Sequence, residues 1–360
     1  MNKQQVSSHN LADPAAGARL VRRPLPASPP AAGAARLRVK VRPVNPSDVF
    51  SLQGVYPGFL SAPGAALPAV PGIDGVAIIE ALGDGAAAAD ICGAPLAVGD
   101  RVVSARGFDI ARGQGSWQEV VDLPCASLSK VPSDAISDAA AASFFVNPVT
   151  VVGLLESAAV PEGSWLVVTS ALSALSKMLL AAAKSRGIKT FGVVRREDAV
   201  AEALRQGATA AARWSEDKPC DLAAAVKAAT GGAQAHAAVD SVGGELTRPV
   251  TDSVRDGGSV FVYGAQGGLA ASASIPALLF RDVRLRGFWL SPWLDAKPAE
   301  DVKRVVSEVW GMYGAGLLRS ADEGVKTYPL SEFAAAVAES QRAARGGKVY
   351  LVSHGGGGGA

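Results

Sequence analysis

Apolar and polar positions change rhythm near the middle of the chain. Up to residue 135, short β-branched runs alternate with breaks rich in Gly, Pro and Ala. LRVKVRPV (37–44), VAIIEAL (76–82), DRVVSA (100–105) and WQEVVDL (117–123) read as strands closed off by turn residues, which predicts an irregular β domain. Within it, AAAAD (86–90) is a low-complexity surface loop. Residues 138–158 are apolar at helical spacing but contain Asn147 and Pro148. Proline lacks the N–H and clashes with the preceding turn, so two helices are expected to meet there. From Ser164, apolar runs at 165–169, 190–194, 209–213, 236–240, 259–263 and 284–290 alternate with helical stretches near 173–185, 198–206, 221–230 and 244–255. That alternation predicts an α/β fold with a doubly wound parallel sheet and right-handed crossovers. A further amphipathic helix is expected over 299–317. TYPL, a helix around 331–344 and KVYLV then return the chain to the first domain, and the GGGGGA tail (355–360) reads as disordered. The expected division is 1–155 completed by 318–354, and 156–317.

Composition agrees with two domains, since 360 residues is about two lengths of ~150. Hydrophobic residues make up 49% of the chain and charged ones 19%, enough for a sizeable core. The net charge of +2 carries no Lys/Arg block, which argues against a nucleic-acid partner. No apolar run reaches the ~18 residues of a membrane span, so no membrane partner is expected. Cys92, Cys125 and Cys220 lie far apart, without zinc spacing, and point to reduced thiols in a cytoplasmic setting. The histidines are His9, His236 and His354, too few for a histidine-rich metal site and limiting for Ser/His or Cys/His catalysis. The N-terminus shows no signal-peptide h-region and no clear transit peptide.

Candidate chemistry centres on WLVVTSALSALSKMLLAAAKSRGIKTFGVVRR (165–196), a strand, tight turn, amphipathic helix and second strand. Leu175, Met178, Leu179 and Ala182 mark the buried face of the helix, and Ser173 can cap it. Backbone N–H groups at such a helix start suit a phosphate. Yet Ala174 and Ser176 stand where a dinucleotide-binding turn would hold glycines, so on the turn alone a cofactor cradle and a plain βα turn are equally open. About twenty residues on, an acid would normally meet a ribose 2′-OH. Here stand Arg195 and Arg196, followed by Glu197. Guanidiniums match a 2′-phosphate in charge and in planar donor geometry, which favours NADPH over NADH, against the alternative of two solvated arginines. Tyr263-Gly264-Ala265-Gln266 and Phe288-Trp289-Leu290-Ser291 follow predicted strands of the same sheet, where ligands gather. In the first domain, NPSDVFSLQGVYPGF (45–59) places Tyr56 in a loop; a phenol can donate a proton to an incipient enolate, although a lone loop tyrosine is more often structural.

Taken together, NPSD, LPAVPGIDG, GDRVV, VNPVT, the alternating region, DSVGG and GKVYLV resemble, in order and over nearly the whole chain, the medium-chain dehydrogenase/reductase superfamily, in its zinc-free quinone/enoyl reductase branch. Within that branch, NPSDVFSLQGVYP, VNPVT and above all FRDVRLRGFWLSPWL look like the mitochondrial-type 2-enoyl thioester reductases. The resemblance implies a GroES-like domain beside a Rossmann domain. It implies Tyr56 as proton donor and Asn147 and Thr150 near the nicotinamide. Leu172, Ser173, Ala174 and Leu175 would form the pyrophosphate turn, and Arg195, Arg196 and Glu197 would read the 2′-phosphate. The segments 263–266 and 288–291 and Lys348 complete the implied cofactor contacts. Leu172 departs from the family in lacking an amide side chain, and PGIDG is closer to quinone reductases. Zinc-using relatives place Cys, His and Cys where Asn45, Ile73 and Val146 stand here; none of these is a good zinc ligand, so no metal is expected.

The activity this implies is NADPH-dependent reduction of a small-molecule substrate, an enoyl thioester. A quinone or α,β-unsaturated ketone reductase is the alternative, and a non-catalytic NADPH-sensing protein is a third reading, motivated by Leu172, Ala174 and Ser176. A homodimer is also implied, and a mitochondrial placement is left open by the resemblance.

Overall fold

The computed structural model describes residues 2–8, 18–56, 69–84, 88–318, 324–342 and 346–353. The expected disordered tail (355–360), part of the 86–90 loop and residues 57–59 lie outside the described residues. The chain packs as two compact units, Met1–Val149 with Ala299–Ala360, and Thr150–Pro298.

The first unit is built on a seven-stranded sheet, β3 (Ala34–Pro43), β4 (Val76–Leu82), β5 (Arg101–Ser104), β6 (Val120–Pro124), β7 (Leu128–Lys130), β14 (Lys326–Pro329) and β15 (Val349–Val352). Its order is β14-β15-β3-β4-β5-β7, with β6 also on β3. Alternation places Leu37, Val39, Ala77, Ile79 and Val102 in one core. An antiparallel hairpin, β1 (Asn2–Ser8) and β2 (Ala18–Pro24), was not expected, because NKQQVSS carries no apolar alternation. Tertiary pairing makes it a strand: Val6 is fully buried and its N–H donates to the Trp117 carbonyl at 2.9 Å. The C-terminal return is locked by Arg42, whose buried guanidinium donates to the Ser116 and Gln118 carbonyls and to Ser353 Oγ at 3.0, 2.8 and 2.7 Å.

Helix α1 (Pro46–Leu52) precedes Tyr56, and α2 (Asp138–Ala142) is capped by Ser137. The expected junction of two helices at Pro148 is instead one turn of π-helix, Phe145–Val149, running straight into α3 (Thr150–Ala158). A wider turn accommodates the proline ring and the missing donor.

The second unit is a six-stranded parallel sheet in the order β10-β9-β8-β11-β12-β13, which is doubly wound and reverses direction between β8 and β11. Its strands are β8 (Trp165–Val168), β9 (Lys189–Val194), β10 (Ala210–Arg213), β11 (Ala235–Asp240), β12 (Val254–Val262) and β13 (Arg284–Gly287). Helices α4 (Ala174–Ser185), α5 (Asp198–Arg205), α6 (Leu222–Ala229) and α7 (Thr247–Ser253) fall on the expected stretches. Two more were not foreseen. The first, α8 (Ile275–Arg281), is capped by Ser274; α9 (Leu290–Asp295) ends the strand expected to reach 290 at Gly287. The final pair is α10 (Ala299–Gly314) and α11 (Phe333–Gln341). The sequence rhythm groups 299–317 with the Rossmann sheet, whereas α10 packs in the first unit. Trp310 Nε1 donates to Ser129 Oγ (2.8 Å), the Tyr313 hydroxyl donates to the Ala140 carbonyl (2.7 Å), and the Trp310 ring lies 4.5 Å from that of Phe144. Among the described residues no helix is long and apolar enough to cross a membrane.

Candidate functional site

The carboxyl end of β8 is where the parallel sheet reverses, and the β8–α4 turn occupies it. Ser170 holds φ 47°, a left-handed conformation uncommon for a residue with a Cβ. Ser173 caps α4: its Oγ accepts the Ser176 N–H at 3.1 Å and donates to Ser176 Oγ at 2.9 Å. Ser176 is fully buried and its hydroxyl donates back to the Thr169 carbonyl at 3.3 Å. The turn therefore closes through serine hydroxyls where glycines would close it by backbone freedom. Closeness to the sheet is supplied from outside the turn. A Cβ on Gly192 of β9 would sit 2.9 Å from the Ala171 Cβ. The first-turn N–H groups of α4 keep the direction and positive end that suit a phosphate. Because the Ser173 hydroxyl closes the turn, Ser173→Ala is expected to cost about 1 kcal/mol in urea unfolding and to weaken NADPH binding in a fluorescence titration.

Beneath the turn lies a polar hub that the sequence reading passed over. Asp240, fully buried at the end of β11, accepts the Thr169 hydroxyl at 2.9 Å, the Thr247 hydroxyl at 2.8 Å and the Val242 N–H at 2.9 Å. Thr169 Oγ1 in turn accepts the Ser241 N–H at 2.9 Å. The hub ties β8, β11 and α7 together on the side where the strands end. Its only signal in sequence is an acid closing the apolar run AHAAVD.

Apart from Thr150, the site residues expected in this unit follow strands at that carboxyl edge. Leu172, Ser173, Ala174 and Leu175 are part-buried in the turn. Arg195, Arg196 and Glu197 are exposed just past β9; Arg196 Nε donates to Asp198 Oδ1 at 3.1 Å, and Arg195 has no ion pair among the described residues. Tyr263 to Ala265 are part-buried and Gln266 is exposed, and the Ser170 hydroxyl reaches Gln266 Oε1 at 3.4 Å. The Tyr263 hydroxyl sits inside, beside Ser176 and Ser241, and burial raises its pKa. Thr150 is buried at the start of α3. In the 288–291 segment, Phe288 and Leu290 turn inward, Ser291 is part-buried and Trp289 is 41% exposed. Phe288 packs so tightly on α3 that a Cβ on Gly153 would meet its ring at 2.5 Å. Beside it, Phe261, Arg286, Phe288, Trp289, Pro292 and Trp293 line a cavity of about 630 Å³.

The remaining expected residues lie in the first unit. Tyr56 is half-buried beyond α1, its N–H donating to the Phe50 carbonyl at 3.1 Å. Asn147 is buried within the π turn. Lys348, at the entrance to β15, is 6% exposed beside two carboxylates that the sequence reading did not single out, Asp48 and Asp74. Burial pushes Asp48 up to about 7 and Asp74 up to about 6, against the pull of the Lys348 charge and of backbone donors. An acid in the otherwise apolar PGIDG was the available hint.

Comparison with known proteins follows this architecture. The alcohol dehydrogenase GroES-like domain model matches residues 31–133, and the zinc-binding dehydrogenase model matches residues 174–309. The chain is 28% identical over 312 residues to a mitochondrial enoyl-[acyl-carrier-protein] reductase of Homo sapiens, covering 85% of this chain and 78% of that one. It is 28% identical over 297 residues to the Arabidopsis thaliana protein of the same name, covering 82% and 74%. Among solved structures, a Pseudomonas syringae quinone oxidoreductase superposes with a TM-score of 0.79 at 25% identity, covering 98% of this chain and all of that one. A mitochondrial 2-enoyl thioester reductase of Candida tropicalis shares the fold, with a TM-score of 0.82 at 20% identity and coverage of 98% and 100%. One of the matching models is named for zinc, yet Asn45, Ile73 and Val146 supply no ligand. Among the described residues no group of three or more His, Cys, Asp or Glu is placed to hold a metal.

Proposed function

We propose that the chain, a member of the medium-chain dehydrogenase/reductase superfamily in its quinone oxidoreductase-like part, is an NADPH-dependent reductase of activated C=C bonds that prefers trans-2-enoyl thioesters. The observation that carries the reading is the carboxyl edge of the parallel sheet. There a helix start built for a phosphate and two exposed guanidiniums at the next strand end fit the pyrophosphate and 2′-phosphate of NADPH. The relatives named enoyl-acyl carrier protein reductases, aligned over more than four-fifths of the chain, support the thioester as acceptor.

When bound, NADPH would supply the hydride for the β-carbon of the substrate. The protein's own part is to orient and to protonate. Arg195 and Arg196 hold the phosphate end, and the β8–α4 turn holds the pyrophosphate. Asn147 and Thr150 bound the nicotinamide end, with Lys348 as a further contact. As electrons move towards the thioester carbonyl, Tyr56, or a water it positions, delivers a proton to the α-carbon. Fixing donor and acceptor in reacting geometry supplies much of the acceleration. A quinone or enone reductase is the second reading, favoured by the superposition on the Pseudomonas syringae quinone oxidoreductase. A substrate panel with NADPH and NADH decides: NADPH oxidation with crotonyl thioester exceeding that with quinones and enones is expected, and quinone turnover without any enoyl thioester turnover would overturn the preference.

We further propose a homodimer formed through the second unit. Strand β13 is an open sheet edge. Next to it in the chain, α8 exposes Ile275 (65%), Leu279 (69%) and Phe280 (78%), an apolar face that solvent does not favour. Light scattering should give twice the chain mass, and a single-chain mass would refute this.

A further inference from the structure

The first unit contains two buried carboxylates, Asp48 and Asp74 beside Lys348, that have no part in the reaction described so far. Asp48 on α1 is fully buried; its Oδ2 accepts the Asn45 N–H at 2.8 Å and its Oδ1 the Ile73 N–H at 3.0 Å. The next residue along, Asp74, is 2% exposed and spends its two oxygens on successive backbone donors. Oδ1 accepts the Phe145 N–H at 2.9 Å and Oδ2 the Val146 N–H at 3.0 Å. These two donors open the π turn that contains Asn147 and Pro148. A helical start cannot satisfy its own first N–H groups. The carboxylate does, with two charge-assisted bonds from one rigid group.

We propose that Asp74 is a positioning residue of the cofactor site: its carboxylate, through the Phe145 and Val146 N–H groups, fixes the turn that carries Asn147, and a proton taken up by Asp74 loosens that turn. The inference rests on the reading of Asn147 as a contact at the nicotinamide end. A protonated Asp74 would place its O–H against one of the two N–H donors, and one bond of the pair would be lost.

The charges facing Asp74 are few. Asp48 faces it from α1 and Lys348 from the segment entering β15. The π turn itself has no titratable residue. Helix α10, packed on the same turn, buries Val302, Val305, Val306 and Val309 and holds Lys303 and Arg304 in ion pairs with Glu300, Asp301 and Glu308; Tyr313 on it donates to Ala140. Arg106, on the loop whose Gly107 meets the Phe145 ring, is exposed. Burial raises both carboxyls, to about 6 at Asp74 and about 7 at Asp48, so the pair takes up its first proton as pH falls through this range.

The sign of the linkage separates positioning from folding. Both folded values lie above the ordinary 3.8, so between about 4 and 7 the folded chain binds more protons than the unfolded one. Acidification through that window therefore favours the folded state, while the turn loses its grip. Cofactor affinity and thermal stability should move in opposite directions.

The test compares wild type, Asp74→Asn, Asp74→Glu and Asn147→Ala from pH 5.5 to 8.5. Three quantities are read: NADPH Kd by fluorescence, Tm in the same buffers, and amide exchange of peptides covering 144–150 in the cofactor-free protein, corrected for intrinsic rates. Wild type should lose about tenfold in affinity on the acid side, the worth of one hydrogen bond to a charged group, while Tm does not fall. Exchange in 144–150 should rise over the same range. Asp74→Asn should be about tenfold weaker at every pH, without the acid limb, and Asp74→Glu should recover part of the affinity at pH 8. An unchanged acid limb and unchanged 144–150 exchange in Asp74→Asn would overturn the inference. Should that variant fail to fold, a wild-type exchange profile flat across pH 6 overturns it equally. Failure of wild type to bind NADPH at any pH, or an Asn147→Ala that binds normally, would instead count against the functional reading, and the exchange measurement would still decide whether Asp74 holds the turn.

Discussion

Tyr56→Phe should lower kcat for crotonyl thioester reduction by ~10²-fold or more, the usual contribution of a general acid, with NADPH affinity unchanged. The substitution removes one oxygen and keeps the ring. The segment carrying it is held by its backbone: after Gly54, at φ 72°, the N–H groups of Val55 and Tyr56 both donate to the Phe50 carbonyl, at 2.9 and 3.1 Å. Stopped-flow traces should show slow turnover after normal cofactor binding. Turnover within about twofold of wild type would mean that the proton reaches the α-carbon from another source, since even a modest general acid contributes far more than that.

The second large effect is expected on cofactor choice. Replacing Arg195 and Arg196 together by Ala should weaken NADPH binding by ~10- to 100-fold, since each hydrogen bond to a charged group contributes ~1.5–3 kcal/mol and tenfold in affinity is ~1.4 kcal/mol. NADH should be unaffected. The two arginines are not equivalent. Arg196 shares its charge with Asp198 and its side chain is 54% exposed, whereas Arg195 has no ion pair among the described residues. Arg195→Ala alone should therefore account for most of the loss. Both groups face solvent, so the effect should shrink as salt is raised. Equal weakening of NADPH and NADH in a titration would remove the 2′-phosphate assignment.

Much of the second unit was legible because its elements are repetitive. Buried strands of a parallel sheet are continuous apolar runs, and the helices between them show one apolar face, so each could be placed to within a few residues. The exceptions have local causes. Strand β13 stops at Gly287 because Trp289 caps a helix begun by Leu290. Helix α8 escaped notice because IPALLF exposes Ile275, Leu279 and Phe280, so its apolar residues do not mark a buried face. The hairpin β1–β2 escaped for the opposite reason, since polar residues become a strand only when Trp117 and Gln118 offer an edge to pair with.

The candidate site divides along the same line. Residue type alone pointed to Arg195 and Arg196 as phosphate readers and to Tyr56 as proton donor, and the absence of glycine between 165 and 186 raised the question of the turn. Only the tertiary structure shows how that turn closes, because Ser173, Ser176 and Thr169 satisfy one another and the close approach is provided by Gly192 on β9. The acids tell the same story. Asp74 and Asp240 stand inside the motifs PGIDG and DSVGG, but their structural meaning comes from donors 71 or 72 residues away in one case and from the Thr169 and Thr247 hydroxyls, past β8 and on α7, in the other. Periodicity is a local property, so the sequence by itself determined the alternating sheet, its helices and the residues with conspicuous chemistry. Hydrogen-bond satisfaction of a buried carboxylate is a property of whatever surrounds it, so only the folded chain decided which acids hold the site together.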